Sequence, residues 1–407
     1  WSSDVCSSDL VGQLEFEPEV GDAVGVRLRR AGPDVPPVLR EHVGDVAQQA
    51  GPVEAQTAPE TPMRAFSTPE IDPTPLFDMV RGNYMTELLA CALELGLFDA
   101  LAEGPVPEQV LQVKLGLASR PWAVLATAIR ALRLMEGLPG QPQAITPMGR
   151  FLLPGGEHEI RGYVGLTSGL PGVRAMMDLL RADKPVSNRP DEGKAFIFRE
   201  GMESAMESGD SARRLTMALA GRAFICAPVL ADVLPLDGVG HLVDLGGGTG
   251  VYGMALAQKN PGLRVSNFDR PEVLKVASGI LAERGPANRV AMVEGDLFGE
   301  YPHCDAVLLS NVLHDWNEET CLDILRRCHK ALRPGGRLFI HDVYLNDALD
   351  GPLEVALYSA ALFSLTEGRA YSAAEYRAML GATGFSPART IAPTRVHCGA
   401  LAAIRAG

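Results

Sequence analysis

The segment Leu242-Val-Asp-Leu-Gly-Gly-Gly-Thr-Gly250 decides the fold. It begins in a short apolar strand, predicted over His241–Leu245, and it contains four glycines just before a helix predicted from about Val251. Glycine at a strand-to-helix turn lets the backbone approach a ligand closely. The segment therefore predicts the first βα turn of an α/β domain, with a ligand site at the carboxyl end of the strand.

Four more apolar segments follow this turn and alternate with stretches of helical period: Leu263–Phe268, Arg289–Val293, Asp305–Leu313 and Arg337–Val343. Alternating β and α units indicate a parallel, doubly wound sheet. The nearly continuous apolar run of Asp305–Leu313 is typical of a strand that is buried on both faces. The carboxyl ends of these strands are then the place to look for functional residues.

The residues around the glycine turn distinguish two classes of cofactor. A dinucleotide needs a third glycine where this chain has Val251, and its pyrophosphate would be repelled by Asp244, two residues before Gly246. An acid at that position suits a cofactor that carries an ammonium group. S-adenosylmethionine carries one, together with a sulfonium centre and no phosphate, so it is the cofactor we expect.

Two further acids follow the next two predicted strands. Asp269 lies 19 residues after Gly250, where an acid can hold both ribose hydroxyls, and Asp296 can accept from the adenine amino group. With Asp244 they are expected to surround one crevice. Capping remains the alternative for each of them: a turn for Asp244, and the following helices for Asp269 and Asp296.

The N-terminal part has a different pattern. Apolar residues recur at helical spacing in Met79–Leu89, Cys91–Leu101 and Trp122–Leu134, and Ala144–Leu153 is expected to form a wing-like hairpin. Helix pairs followed by a wing resemble a winged helix. The net charge of −13, from 37 basic and 50 acidic residues, disfavours nucleic-acid or anionic-membrane binding, so helix packing or dimer contact is the favoured use.

Three further features of the sequence limit the kind of protein that this chain can be. The first ten residues, WSSDVCSSDL, resemble a translated sequencing adapter, and residues 1–65 are expected to be disordered or artefactual, with a truncated upstream domain as the alternative. Seven scattered cysteines are typical of a reducing, cytoplasmic setting. No metal site is expected, and no membrane span, because Arg222, Pro228 and Asp232 interrupt the longest apolar stretch.

Over about residues 75–405 the chain resembles the class I S-adenosylmethionine-dependent O-methyltransferases of the caffeic-acid, acetylserotonin and bacterial polyketide type. The resemblance rests on LVDLGGGTG (242–250), NFDRPEV (267–273), EGDLF (294–298), SNVLHDW (310–316), ALRPGGRLFIHD (331–342) and GATGF (381–385). It implies a Rossmann-like, doubly wound, mostly parallel seven-stranded sheet with an N-terminal all-helical, winged-helix-like dimerisation domain. The expected divisions are 70–185 for dimerisation, 186–225 for linking helices that line the substrate pocket, and 226–407 for the methyltransferase domain.

The resemblance assigns roles to particular residues. It implies His314 as the catalytic base. The expected cofactor-binding residues are Asp244, Gly246, Gly248, Asp269, Arg270, Asp296, Leu297, Ser310 and Trp316, and the expected substrate-binding residues are Phe198, Met202 and Phe363. A plain helical core face is the alternative for the substrate-binding residues, and core packing is the alternative for Trp316.

The chain departs from the family pattern at three places. Arg270 stands where the family usually has an apolar residue, and Asp342 stands where a Glu often lies beside the base. Ala370 replaces a second Glu, for which Glu367 is the nearest substitute. Asp315 is assigned to a capping box for the next helix.

The expected reaction is methyl transfer from S-adenosylmethionine to a hydroxyl of a small aromatic acceptor of the secondary-metabolite type. A phenol has a pKa near 10, so it needs a base at neutral pH, and a histidine has a suitable pKa. Asp342 would hold the second ring nitrogen of His314, with Glu367 as further support. The alternatives are methylation at carbon or nitrogen, a catalytically silent cofactor-binding regulator, and a nicotinamide-dependent oxidoreductase.

Overall fold

The computed structural model describes residues 65–184, 194–195, 203–204 and 209–406. The predictions for residues 1–64, Phe198 and Met202 lie outside the described residues. The helices are α1 Thr74–Val80, α2 Asn83–Glu94, α3 Leu97–Ala100, α4 Glu108–Leu115, α5 Ser119–Ala131, α6 Arg161–Gly165, α7 Pro171–Ala182, α8 Gly209–Val233, α9 Val251–Lys259, α10 Pro271–Arg284, α11 Glu318–Ala331, α12 Leu353–Leu365 and α13 Ala373–Ala382.

The strands are β1 Val106–Pro107, β2 Met135–Glu136, β3 Pro142–Ile145, β4 Lys194–Ala195, β5 Glu203–Ser204, β6 His241–Leu245, β7 Arg264–Asp269, β8 Val290–Glu294, β9 Cys304–Ser310, β10 Leu332–Leu345, β11 Tyr371–Ser372, β12 Arg389–Pro393 and β13 Cys398–Ile404. Single 3₁₀ turns occur at Gly149–Leu152 and Leu313–Asp315.

The main sheet has the strand order β12-β13-β10-β9-β6-β7-β8, with β11 beside β10. The pairs among β6 to β10 are parallel, whereas β13 runs antiparallel to both β10 and β12. Strand β9 ends earlier than expected because Asn311 adopts a left-handed φ of 57°. The fold is therefore α/β with a mixed sheet, as expected in outline.

The helical part differs from the sequence expectation at two helix boundaries. The predicted helix Met79–Leu89 is divided by Arg81 and Gly82, so α1 and α2 are separate. Cys91–Leu101 is divided by Gly96, whose φ of 78° ends α2. Strands β1, β3 and β2 form a small antiparallel sheet, in which the β2–β3 hairpin replaces the wing expected at Ala144–Leu153.

Helix α12 connects the two parts of the core. Its residues Leu357, Ala360 and Phe363 are buried in the cluster formed by the N-terminal helices, while Val355, Ala356 and Leu362 pack in the cluster on the sheet. Side chains of α12 are therefore shared between the helical part and the sheet. This arrangement places α12 over the carboxyl ends of the central strands, where α8 also passes.

Helix α8 is apolar and long enough to cross a membrane by length and composition alone. Its residues Cys226, Ala227 and Leu230 are completely buried in the cluster on the sheet. A core helix passes the same test of length and composition, and these contacts account for the buried apolar residues of α8.

Candidate active site

A cavity of about 300 Å³ lies at the carboxyl ends of β6, β7 and β9. The strand ends contribute the wall residues Gly246–Thr249, Phe268–Arg270, Gly295, Leu297, Phe298, Ser310–Val312 and His314–Trp316. Helices α8 and α12 close the cavity with Thr216, Leu219, Arg222, Ala223, Tyr358, Ala361, Leu362 and Leu365. Among the expected site residues, Gly246, Gly248, Asp269, Arg270, Leu297, Ser310, His314 and Trp316 are thus brought together.

The glycine turn has the backbone that only glycine adopts without strain. Gly246, Gly248 and Gly250 have φ values of 65°, 56° and 70°, and a Cβ at Gly246 would lie 3.1 Å from the side chain of Val312. Asp269 Oδ2 accepts a hydrogen bond from the Gly248 amide at 2.8 Å. The acid expected to bind ribose therefore also holds the turn in place.

Asp244 lies beneath the turn and does not line the cavity. It is completely buried, and its Oδ2 accepts from the Gly253 amide of α9 at 3.1 Å, while its Oδ1 has no partner. Burial raises the pKa of Asp244 to about 7. Its expected role towards an ammonium group stays a prediction.

Asp296 is exposed and also lies outside the cavity wall, with its Oδ1 accepting from the Phe298 amide at 2.7 Å. The residues after β8 that reach the wall are Gly295, Leu297 and Phe298. The ring of Phe298 packs edge-on against Trp316, with their centroids 5.1 Å apart. An apolar and aromatic wall therefore stands where the adenine was expected.

His314 is buried in the cavity wall, in the 3₁₀ turn after β9. Its Nδ1 lies 2.5 Å from Asp342 Oδ1, as expected for the residue that orients the ring. Asp342 is held in turn by the Tyr376 hydroxyl, which donates to Oδ2 at 3.0 Å, and by the Val343 amide at 2.8 Å. Nε2 is therefore the ring nitrogen available to an acceptor.

Asp315 has a different place from the one expected. The N-cap of α11 is Asn317, which accepts from the Thr320 amide at 2.9 Å, so the assignment of Asp315 to a capping box was wrong. Asp315 is instead a buried part of the cavity wall, with its Oδ1 3.7 Å from His314 Nε2. The second carboxylate beside the imidazole is therefore Asp315.

Two expected site residues lie away from the cavity. Glu367 is not within ion-pair range of His314; its amide donates to the Asp315 carbonyl instead. Phe363 is completely buried in the helical cluster and packs against the Arg120 guanidinium, which lies 4.6 Å from its ring centroid. Both assignments are corrected. In the loop after α12 it is the backbone of Glu367, not its carboxylate, that contacts the turn of His314. Phe363 lies on the face of α12 that packs into the helical cluster.

The charges around His314 are strongly coupled. Burial opposes its charged form, but Asp342, Tyr358 and Asp315 outweigh this effect and raise the pKa of His314 to about 10. Burial likewise raises the pKa of Asp315, to about 7. Burial also opposes ionisation of Asp342, yet the neighbouring imidazole holds the pKa of Asp342 below its ordinary value.

Sequence reasoning missed three polar wall residues. Arg222 on α8 donates from Nη1 to the Tyr358 hydroxyl at 2.7 Å and from Nη2 to Asn311 Oδ1. Tyr358 on α12 packs edge-on against His314, with ring centroids 5.6 Å apart. Asn311 belongs to the motif SNVLHDW, and its place in that motif could have indicated a site residue. Arg222 and Tyr358 lie in apolar helices, where no motif marks them.

The wall fits S-adenosylmethionine. The glycine turn offers close backbone approach, Asp269 keeps lone pairs for hydroxyl donors, and Leu297, Phe298 and Trp316 offer apolar surface. Within the described part of the chain, no group of three His, Cys, Asp or Glu side chains is arranged to hold a metal ion.

The comparisons agree with this geometry. An O-methyltransferase domain model matches residues 193–386. A 3-hydroxy-5-methyl-1-naphthoate 3-O-methyltransferase of Streptomyces sahachiroi is 34% identical over 78% of this chain and 91% of its own length. The crystal structure of an O-methyltransferase family 2 protein of Planctomyces limnophilus in complex with apigenin is 38% identical, with a TM-score of 0.74, over 84% of this chain and 99% of that one.

Human N-acetylserotonin methyltransferase, solved in complex with S-adenosylmethionine, has the same fold, with a TM-score of 0.50 at 22% identity over 84% of this chain and 100% of that one. The nicotinamide-enzyme alternative is set aside by these relationships. Taken with the glycine turn and the wall around His314, they show that the chain belongs to the S-adenosylmethionine-dependent O-methyltransferases of the aromatic and secondary-metabolite type.

Proposed function

We propose that this enzyme methylates a hydroxyl of a small aromatic acceptor, with His314 as the general base. The observation that carries the proposal is the position of the imidazole, which is buried in the cavity wall with Nδ1 held by Asp342. This contact fixes the orientation of the ring and leaves Nε2 towards the cavity side. The bound methyl donor supplies an electrophilic methyl group on a sulfonium cation.

The residues around His314 control its proton. The protonated ring is stabilised by Asp342 on one side and by Asp315 on the other, so the product of proton transfer is well supported. A neutral ring is needed before the transfer, and any cation bound in the cavity favours it by lowering the pKa of His314. General base catalysis of this kind contributes about 10²–10⁴-fold.

The cavity wall supports an aromatic acceptor. Leu219, Tyr358, Ala361, Leu362 and Leu365, on the two helices over the cavity, supply a mostly apolar surface that is separate from the residues assigned to adenine and can hold a flat ring. The names of the relatives are consistent with this class, since one acts on a hydroxynaphthoate and another is in complex with apigenin. A histidine base in the wall favours a phenolic hydroxyl, because methylation at carbon or nitrogen does not strictly require a base.

The test of the base is His314→Ala. Binding of S-adenosylmethionine, measured by calorimetry, should be kept, while turnover on phenolic acceptors at neutral pH should fall about 10²–10⁴-fold. His158→Ala, at an exposed histidine far along the chain, serves as the control and should match the wild type. Near-full turnover of His314→Ala would show that proximity alone drives the reaction and would contradict the proposal.

We also propose a homodimer formed through residues 70–185. The support is the exposed apolar surface of this part, which includes Met79, Val80, Val113, Tyr163 and Leu166. We propose further that residues 186–225 link the two parts of the chain and that residues 226–407 form the methyltransferase domain. A cytoplasmic location is also a proposal, and it rests on the scattered cysteines.

A further inference from the structure

Arg222 is a cation in the cavity wall whose hydrogen-bond partners include no carboxylate, although a hydrogen bond with Cys226 and the guanidinium itself hold the pKa of the Cys398 thiol below its ordinary value. Arg222 Nη1 donates to the Tyr358 hydroxyl, and its Nη2 donates to Asn311 Oδ1 and lies 3.2 Å from Cys398 Sγ. Its Nε is shielded from solvent and has no acceptor. The guanidinium is therefore fixed in position by groups other than carboxylates.

No carboxylate lies within ion-pair distance of this charge in the described part of the chain. The ion pairs formed there do not include Arg222; Asp315 and Asp342 are close enough to interact with its charge, but both lie against His314. An arginine keeps its charge in proteins, and a charge removed from water needs a partner. A carboxylate partner is expected to come from a bound molecule, because Arg222 lines the cavity.

The sheet order indicates which part of a bound molecule meets Arg222. Asp269 ends β7 and Leu297 follows β8, so the ribose and adenine ends are expected over these two strands. Asn311, which Arg222 contacts, follows β9 on the opposite side of β6. A cofactor that extends along this row therefore brings its amino-acid end, with its α-carboxylate, towards β9.

We propose that Arg222 is the carboxylate-binding residue of the cavity, and that its ligand is the α-carboxylate at the amino-acid end of the methyl donor. An acceptor that carries a carboxylate presents the same chemistry, so the experiment separates the two sources. Among the described wall residues the other guanidinium is that of Arg270, at the end of β7, where the ribose is expected.

The first arm measures binding without turnover. S-adenosylhomocysteine carries the α-carboxylate, whereas 5′-methylthioadenosine lacks the whole amino-acid portion. Arg222→Met should bind S-adenosylhomocysteine about ten- to hundredfold more weakly in calorimetry, as expected for the loss of charge-assisted hydrogen bonds, and should bind 5′-methylthioadenosine as the wild type does. Arg222→Lys should recover part of the loss, and Arg214→Met, at an exposed arginine of the same helix, should be unchanged.

The second arm compares a hydroxyaryl carboxylic acid with its amide as acceptors. A rise in KM for the acid alone, with unchanged binding of S-adenosylhomocysteine, assigns the carboxylate to the acceptor and overturns the cofactor assignment. Equal weakening of both nucleoside ligands would show a packing role and overturn the proposal, as would wild-type behaviour in both arms. Failure of the wild type to bind S-adenosylhomocysteine would instead contradict the assigned cofactor.

Discussion

His314 stands between two carboxylates that ionise in different ranges of pH. Asp342 is hydrogen-bonded by Tyr376 and by the Val343 amide, and its pKa is lowered by the imidazole despite burial. Asp315 has one imidazole contact at 3.7 Å, and burial raises its pKa to about 7. Asp342 is therefore charged throughout the working range, whereas Asp315 gains its charge only near neutral pH.

This difference predicts the pH dependence of Asp315→Asn. The charge of Asp315 stabilises the protonated ring of His314, so its removal should lower the pKa of His314 from about 10. The acid limb of kcat/KM for the methyl donor, which reports the free enzyme, should then move to lower pH by about one unit. The pH–rate profiles of the variant and the wild type give the measurement.

Glu367→Gln is the matched control for this experiment. Glu367 lies close in sequence to the loop that packs on Asp315, but its carboxylate is not within ion-pair range of His314. Its profile should overlay that of the wild type. A profile of Asp315→Asn that is unshifted, or shifted to higher pH, would mean that Asp315 does not stabilise the protonated base.

The sequence identified part of this site because some roles depend on position in a βα unit. The glycine turn, Asp269 and His314 follow β6, β7 and β9, so apolar runs locate them at strand ends, while the role of His314 came from the family resemblance. Asp315 could not, because the residues that follow it carry the composition of a helix start, and the cap formed two residues later at Asn317. Arg222 and Tyr358 depend on which faces of α8 and α12 meet, which a single sequence does not specify.

At the scale of elements, the loop after α12 supports the turn that carries His314. The Glu367 amide donates to the Asp315 carbonyl at 3.2 Å. Arg120 on α5 donates from Nη1 to the Thr366 and Gly368 carbonyls at 2.9 and 3.2 Å. The loop thus lies between the N-terminal helices and the turn that carries His314, and it is hydrogen-bonded to both.

Gly368→Ala tests this support. A Cβ at Gly368 would lie 2.6 Å from the Trp316 amide nitrogen and 2.7 Å from the Asp315 carbonyl carbon, and backbone atoms cannot move aside as a flexible side chain can. We expect a loss of about 1–3 kcal/mol in the free energy of unfolding, measured by denaturant titration, with reduced turnover because His314 is displaced.

Gly381→Ala on α13 is the control, because nothing lies within 4 Å of the added Cβ and the position is helical. It should stabilise the protein by about 0.5–1 kcal/mol, the usual gain of Ala over Gly in a helix. If both alanine variants behave alike, the loop does not press on the turn of His314.

The helices and strands that were predicted best are those whose ends are marked by one clear feature of the sequence. Strand β6 was predicted with its observed ends, since a short apolar run stops at glycine. Helices α1 and α2 were merged, because the apolar spacing continues across Arg81 and Gly82 and only the backbone shows the break. Strand β10 is longer than expected because Leu332 pairs with Cys304 beyond a shift in register.

At the scale of the whole molecule, the N-terminal helices carry several large apolar side chains that are exposed to solvent. Helix α1 buries none of its residues, and its side chains Leu76, Met79 and Val80 are 63%, 73% and 80% exposed. It is attached to the rest of the chain by polar contacts, such as that between Asp78 and His397 Nε2 at 2.9 Å. Apolar side chains presented together in this way are typical of an interface between proteins.

The dimer is tested by sedimentation of the whole chain. The wild type should sediment near twice its mass of 43.4 kDa at micromolar concentration. A variant with Met79→Asp and Val80→Asp should sediment as a monomer, because two unpaired carboxylates would have to be buried in the interface. Lys330→Asp changes an exposed charge on α11 of the methyltransferase part and should remain dimeric. A monomeric wild type would contradict the proposed dimer. A double variant that still dimerises would place the dimer contact on a surface other than α1.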